Sequence, residues 1–151
     1  MADVVTRAVR SRMMSGIRST NTKPELMLRH ALHARGFRYR LHDRRLPGKP
    51  DMVFPRYNAV ILANGCFWHG HDCHLFKLPS TRPEFWRTKI ARNREVDLHN
   101  EAALEDIGWR QAIVWECALK GRARLEFSEV IRRCDEWLRS RKSHLEIRGV
   151  S

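Results

Sequence analysis

Apolar positions three and four residues apart predict the first helix of the chain. Leu28 and Leu32 fall on one helical stripe, with polar residues between them. Thr22 and Glu25 have the spacing of a capping box at the amino-terminal end of this stripe, and Gly36 suits the left-handed position that often ends a helix. The pattern predicts a helix that begins after Thr22 and ends just before Gly36.

Two further helices follow from the same spacing. Thr81 and Glu84 repeat the capping-box spacing and Pro83 suits a first turn, so a long helix is predicted up to Ile107. The stretch SEVIRRCDEWL predicts a closing amphipathic helix. The arginine-rich segment from Val5 to Ser15 is one more candidate helix.

Strands are predicted where apolar residues alternate with polar ones or form short continuous runs. FRYRL alternates between polar and apolar residues, whereas DMVF, NAVILA and WRQAIVW are short apolar runs bounded by turn residues. NAVILA is apolar enough to be a central strand. Strands and helices in this order predict a single α/β domain with a mixed central sheet flanked by helices. The last ten or so residues are predicted to lack order.

The balance of charged residues indicates which class of partner the protein binds. The 151 residues, 42% hydrophobic, include 29 lysines and arginines against 17 acidic residues, a formal net charge of +12. A polyanion, and nucleic acid before membrane, explains such a basic surface. No run of about 18 apolar residues is present and the amino terminus lacks a secretory apolar core, so a cytosolic protein is expected.

Cysteines and histidines crowd the stretch NGCFWHGHDCH. A structural zinc ion takes four sulfur or nitrogen ligands in a tetrahedron, and one distant thiol completes such a set: Cys66, His71, Cys73 and Cys117. His69 and His74 compete for the same role. Two disulfides are not expected in a reducing compartment. Cys134 shares a helical stripe with Ile131 and Leu138, so it is predicted to lie in the core.

Phe67 and Trp68 lie between these candidate ligands. Packing is the commoner role of large aromatic side chains. A metal-clamped loop, however, tends to turn the intervening rings outward, where they can stack on bases or wedge between them.

The candidate carboxylates are equally ambiguous when each is taken alone. Asp51 begins the strand DMVF, and the next strand ends at Ala63 and Asn64. Groups at adjacent strand ends can converge on a hard cation such as magnesium, which polarises a phosphate while a base activates water. A strand-entry role explains Asp51 as well, and capping explains Glu25.

One polar stripe of the long helix has two explanations. Lys89, Asn93 and Asp97 follow one another at four-residue steps and therefore share a helix face. This face fits an active-site wall, and it fits a solvated surface equally well.

Four motifs together resemble one family: LPGKPDMVF, GCFWHGHDC, TRPEFWRTKIARN and GWRQAIVWECAL are similar to those of the very-short-patch repair endonucleases. The resemblance extends from roughly Thr6 to Leu138. It implies a fold similar to type II restriction endonucleases, with a structural zinc. We expect a DNA-contacting arm at residues 1–20, an endonuclease domain at 21–140 and a tail at 141–151.

The activity that the resemblance implies is a magnesium-dependent nick of double-stranded DNA, on the 5′ side of the thymine in a T:G mismatch. Such mismatches arise by deamination of 5-methylcytosine. The resemblance links the enzyme to a DNA cytosine methyltransferase, a polymerase, a ligase and mismatch-repair proteins, and implies that it acts as a monomer.

Roles carry over from the family position by position. Asp51 resembles the magnesium-binding aspartate, Ala63 supplies a main-chain carbonyl, and His69 matches the histidine that activates water. The zinc ligands match Cys66, His71, Cys73 and Cys117. Glu25 and Asp97 match acidic positions near the active site. The residues that match DNA-contacting positions are Phe67, Trp68 and Trp86 on the major-groove side and Met14 and Ile17 on the minor-groove side. We also expect Lys89 and Asn93, from the polar stripe of the long helix, to contact DNA.

Two departures from the family pattern change the expected chemistry. Asn64 stands where a histidine assists catalysis in the best-known member; asparagine can hydrogen-bond a phosphate oxygen but cannot transfer a proton. Gly70 and Asp72 replace histidines that are not needed as ligands.

Two rival hypotheses remain, a non-catalytic zinc-stabilised DNA-binding module and a restriction-like nuclease with another target.

Overall fold

The structure is a computed structural model that describes residues 22–150. Its helices are α1 (Lys23–Ala34), α2 (Pro83–Asp106), the short α3 (Glu116–Leu119) and α4 (Phe127–Arg139). Its strands are β1 (Arg40–Leu41), β2 (Met52–Phe54), β3 (Ala59–Asn64), β4 (Arg110–Trp115) and β5 (His144–Ile147), with a 3-10 turn at Pro55–Tyr57. The predicted segment from Val5 to Ser15, Met14 and Ile17 all lie outside the described residues.

The five strands form one mixed sheet in the order β1-β2-β3-β4-β5. The first three strands are antiparallel neighbours, and β4 and β5 continue the sheet in parallel with β3. The predicted α/β class and mixed sheet are therefore confirmed, and β3 is central, as its apolar sequence predicted. The parallel pairing of β3 and β4 places the carboxyl ends of both strands at the same edge.

Alternation along the strands divides the core between the two faces of the sheet. Phe54 and Ile61 join the large cluster, which also contains Leu28 of α1 and Leu138 of α4. Val53, one residue out of phase, and Val60 pack on the other face with Leu104 of α2. The sheet is thus covered on both faces, and α2 packs over the second one.

The start of α1 follows the sequence prediction and the start of α2 does not. Thr22 caps α1, since its Oγ1 accepts the Glu25 backbone N–H at 3.3 Å, and Gly36 is left-handed with φ 96°. The second predicted capping box is wrong. Pro83 is the first residue of α2 and the residue before it is a left-handed Arg82 without a side-chain cap, so Thr81 lies one position too early.

Two strand predictions also change. FRYRL was predicted to be a full strand, but only its last two residues pair with β2, because Phe37 turns into the core against Phe54. The expected lack of order in the last ten residues is wrong, since His144–Ile147 form β5 beside β4. Ile147 is fully buried there, and this apolar contact ties the segment to the sheet.

Among the described residues, no helix is long and apolar enough to cross a membrane.

Candidate active site and metal cluster

Asp51 and the end of β3 meet because β2 and β3 are antiparallel neighbours. The Asp51 carboxylate is largely buried, and its Oδ2 accepts the backbone N–H of Ala63 at 2.7 Å. Burial raises the pKa of Asp51, and the hydrogen bond from Ala63 opposes that rise. The structure thus brings together the aspartate and the strand end that the sequence analysis paired.

His69 and Asp97 form the second part of the site. The Nδ1 atom of His69 lies 2.5 Å from Oδ2 of Asp97, on the α2 face that also carries Asn93. A carboxylate at Nδ1 holds the imidazole in one orientation and directs Nε2 away from the pair. Such an arrangement can support proton transfer at Nε2.

These groups share one cleft of about 260 Å³, lined by Asp51, Ala63, Asn64, His69 and Asp97. Asn64 is buried at its base. Lys49 and Gln111 also line the cleft, and the sequence analysis assigned neither of them. The LPGKP loop lies close to α2 at Gly48, where a Cβ would meet Nδ2 of Asn100 at 2.8 Å and φ is 77°. A side chain at position 48 would therefore be strained at this φ and would displace the Asn100 side chain.

Glu25 does more than its capping position predicts. Its backbone N–H takes part in the cap, while its side chain, 1% exposed, pairs with Arg29 and lies 3.1 Å from Nε2 of His42. His42 also lies 3.7 Å from Oδ1 of Asp51. Capping therefore explains the Glu25 backbone N–H, and the carboxylate also lies beside Arg29 and His42.

His42 is a residue that the sequence analysis missed. It follows β1 in the left-handed region with φ 47°, and its backbone N–H donates to the Asp51 carbonyl at 3.2 Å. This bond continues the β1–β2 pairing beyond the strand ends and places the imidazole beside Asp51. The one available signal was the position of a histidine directly after a strand opposite Asp51.

The Cys and His residues predicted as ligands converge on one point. One ligand atom each from Cys66, His71, Cys73 and Cys117 lies within 4.8 Å of the others. Nδ1 of His71 is 3.5 Å from Sγ of Cys66 and 3.6 Å from Sγ of Cys117. His69 and His74 are not part of this group. The four side chains could hold a metal ion.

The protonation of this cluster reflects its burial. Burial raises the pKa of the Cys66 and Cys117 thiols, and burial lowers the pKa of His71. Each shift disfavours the charged form of an isolated group. A bound cation would offset the cost of two buried thiolates, which is the usual way in which such charges are tolerated.

The elements around the cluster hold it from three sides. Trp115, at the end of β4, stacks on the His71 ring with centroids 3.9 Å apart. The next residue, Glu116, accepts the backbone N–H of Cys66 at 3.1 Å. The segment after β5 closes the third side, where the Gly149 N–H lies 3.3 Å from Sγ of Cys117. A Cβ at position 149 would come within 2.4 Å of the Cys117 carbonyl oxygen, so glycine is required by this close approach.

The aromatic residues predicted to contact DNA form one cluster beside the cleft. The Phe67 ring lies 5.4 Å from Trp68 and 5.3 Å from Trp86, both edge-on. Asn93 donates from Nδ2 to the Trp68 carbonyl at 2.9 Å, whereas Lys89, one turn earlier on α2, is exposed. One helix face therefore contacts both the aromatic loop and His69.

Cys134 is fully buried in the large core cluster, as its helical stripe predicted, and it belongs to no metal-ligating group among the described residues.

Comparison with known proteins places this site in a family. A family profile described as DNA mismatch endonuclease Vsr matches residues 2–75. The DNA mismatch endonuclease Vsr of Escherichia coli (strain K12) is 46% identical over 138 residues, which cover 91% of this chain and 88% of that protein. The type II nicking enzyme V.XorIIP of Xanthomonas oryzae pv. oryzae is 46% identical over 126 residues, 83% of this chain and 93% of the relative. The type II nicking enzyme V.NmeAIP of Neisseria meningitidis is 46% identical over 82% of this chain and 88% of its own length. Since the family profile matches about half of the chain and a relative is 46% identical over 91% of it, the chain belongs to the DNA mismatch endonuclease Vsr family.

Proposed function

We propose that the protein nicks double-stranded DNA on the 5′ side of the thymine in a T:G mismatch and so begins very-short-patch repair. The observation that carries the proposal is the cleft in which Asp51 and the His69–Asp97 pair meet beside an aromatic cluster. One relative of this chain is named as a DNA mismatch endonuclease, and another is named as a type II nicking enzyme. The nicked strand would then need a polymerase and a ligase to complete the repair. The mismatches would arise by deamination of 5-methylcytosine.

The fold supports assignment to the type II restriction endonuclease-like class. Its mixed sheet is covered by helices on both faces, and the aspartate of the site precedes an antiparallel strand. Residues 1–20 would form the DNA-contacting arm, with Met14 and Ile17 entering the minor groove. The catalytic part would occupy residues 21–140, and the protein would act as a monomer.

The acidic part of the cleft fits a magnesium ion. Asp51 presents a carboxylate in a partly buried position beside the end of β3, and oxygen ligands of this kind are those that magnesium prefers. Asp51 and the main-chain carbonyl of Ala63 would hold the ion. When bound, magnesium polarises the scissile phosphate and neutralises charge that develops on it.

His69 would take the proton of the attacking water at Nε2, since Nδ1 is held by Asp97. Asn64, buried at the base of the cleft, would donate a hydrogen bond to a phosphate oxygen and move no proton. The proton chemistry therefore depends on His69 alone, while the Glu25 carboxylate pairs with Arg29 and lies beside His42.

Replacement of Asp97 by asparagine tests this division of roles. We expect Asp97→Asn to lower the single-turnover nicking rate by about 10²- to 10⁴-fold, because the amide neither holds the imidazole in the required tautomer nor stabilises its charged form. Affinity for the mismatched duplex should change little. Glu95→Gln, an exposed change on the same helix, is the control; equal rates for both variants would contradict the role of Asp97.

The Cys and His cluster fits a structural zinc ion. A tetrahedral zinc with ligands at about 2.3 Å for sulfur and about 2.05 Å for nitrogen separates sulfur from nitrogen by about 3.6 Å. The two separations between His71 and the thiols are 3.5 and 3.6 Å. Zinc would tie the loop of residues 66–73 to α3, and so fix His69 and the aromatic residues that lie within this loop.

The aromatic cluster would wedge between base pairs from the major-groove side. Phe67 and Trp68 are half-buried on the metal-held loop, and Trp86 of α2 contacts both rings. Unstacking a base step costs a few kcal/mol, and it costs least at a mispaired step. The deformability of the T:G step would thus contribute to recognition, while Lys89 and Asn93 lie on the helix face beside the wedge.

The decisive experiment compares two duplexes that differ only in T:G or C:G at a cytosine-methylation site, with each strand labelled separately. We expect a magnesium-dependent nick beside the mismatched thymine only. Cleavage of both duplexes would indicate a restriction-like nuclease, and tight binding without cleavage in several sequence contexts would indicate a DNA-binding module.

A further inference from the structure

Three side chains from separate parts of the chain meet around His42, next to the Asp51 side of the cleft. Glu25 belongs to α1, His42 follows β1 and Asp51 precedes β2. One ligand atom from each lies within 4.8 Å of the others. Asp51 is the residue to which the proposed function assigns the divalent cation, whereas no family motif used above covers His42.

The separations suit ligands of one ion. Nε2 of His42 lies 3.1 Å from Oε2 of Glu25 and 3.7 Å from Oδ1 of Asp51. Ligand atoms about 2.1 Å from an octahedral ion are about 3.0 Å apart when adjacent and about 4.2 Å apart when opposite. The 3.1 Å separation is close to that of adjacent ligands and the 3.7 Å separation lies between the two values, so side-chain adjustment would let His42 share an ion with the two carboxylates.

The local backbone explains why the imidazole is held there. The His42 N–H donates to the Asp51 carbonyl at 3.2 Å, and the left-handed φ of 47° turns the side chain at the end of β1. The Glu25 side chain is 1% exposed and that of Asp51 is 13% exposed, while the His42 side chain is 24% exposed. Two buried carboxylates are therefore joined by a ring that solvent still reaches.

A cationic group already contacts these same atoms. The Arg29 guanidinium pairs with Oε2 of Glu25, and its Nη2 lies 3.4 Å from Nε2 of His42. The Glu25 oxygen and the His42 nitrogen thus face positive charge together in a buried polar site. A divalent ion would take the place of the guanidinium at these two atoms.

We propose that His42, through Nε2, and Glu25 are further ligands of the divalent cation assigned to Asp51, which makes the site a mixed imidazole–carboxylate site. This inference rests on the proposed function. Imidazole nitrogen favours transition-metal ions, whereas magnesium prefers oxygen ligands. The site therefore binds Mn²⁺ more tightly than a site built from oxygen ligands alone, and His42 sets that preference.

The test measures metal binding by the zinc-loaded full chain without DNA, using Mn²⁺ and Mg²⁺ as probes. His42→Gln replaces the ring by an amide that can still offer an oxygen. We expect this variant to bind Mn²⁺ at least about tenfold more weakly and to bind Mg²⁺ almost as well as the unchanged protein. Spin-echo spectroscopy should show nitrogen coupled to bound Mn²⁺ in the unchanged protein and its loss in His42→Gln. His30→Gln, an exposed change on α1, should behave as the unchanged protein does.

Asp51→Asn separates this inference from the function on which it rests. If Asp51→Asn abolishes Mn²⁺ binding but His42→Gln leaves the affinity and the nitrogen coupling intact, His42 is not a ligand and the proposed function stands. If Asp51→Asn leaves cation binding intact, the cation site and the role of His42 are both wrong. Absence of nitrogen coupling in the unchanged protein overturns the inference without any variant, so the test does not depend on the folding of His42→Gln.

Discussion

Asp51→Asn should reduce nicking of a T:G duplex by at least about 10³-fold while the duplex is still bound. The amide preserves the size of the side chain and can still accept the Ala63 N–H, which Asp51 accepts at 2.7 Å, so the strand ends should stay in place. It removes the negative charge that the cation requires. Single-turnover rates at saturating enzyme, beside binding isotherms for the same duplex, separate the two effects.

A matched control lies in the same loop. Asp43 also accepts a backbone N–H, from Arg45 at 3.0 Å, but it is not part of any metal-ligating group among the described residues. The Asp43→Asn variant should therefore nick the T:G duplex at nearly the rate of the unchanged protein. If Asp51→Asn nicks as fast as Asp43→Asn, the assignment of the cation to Asp51 fails.

Cys117→Ala should remove the bound zinc and lower the free energy of unfolding by about 4 kcal/mol or more. The thiol is fully buried and links the end of β4 to the loop that carries His71. Without Cys117 the cluster lacks the ligand that is distant in sequence. The loop of residues 66–73 is then no longer tied to the sheet. Zinc content by elemental analysis and unfolding in urea measure the two effects in the same sample.

Cys134→Ala is the natural comparison, because Cys134 is also fully buried but lies in the apolar core. Its loss should cost only about 1 kcal/mol and leave zinc bound. Equal losses of stability for the two variants, with zinc retained in both, would show that Cys117 is an ordinary core residue.

Much of the architecture was predictable because local patterns agree with the tertiary structure. The stripe of Leu28 and Leu32 packs into the large core, and the apolar run of β3 is the centre of the sheet. Hydrophobic periodicity works here since each element must bury one face or both. Helix starts were less predictable: Thr81 has the right spacing, yet Pro83 decides where α2 begins.

The end of the chain shows where local patterns are insufficient. His144–Ile147 is too short and too polar to be recognised as a strand, but β4 offers it a parallel edge, and Ile147 is buried against the core. Arg148 then pairs with Asp72 at 2.8 Å, and Gly149 packs on Cys117. A segment predicted to lack order thus closes the metal cluster.

By itself, the sequence determined the alternation of elements, the basic surface, the four candidate metal ligands and a set of motifs that resemble one family. These are properties of composition and spacing, which need no knowledge of distant contacts. The tertiary structure alone decided which polar groups meet. It joined Asp97 to His69 across 28 positions, and it placed His42 beside both Glu25 and Asp51. Such pairings depend on strand register and helix packing, because a shift of one residue turns a side chain to the opposite face of the sheet.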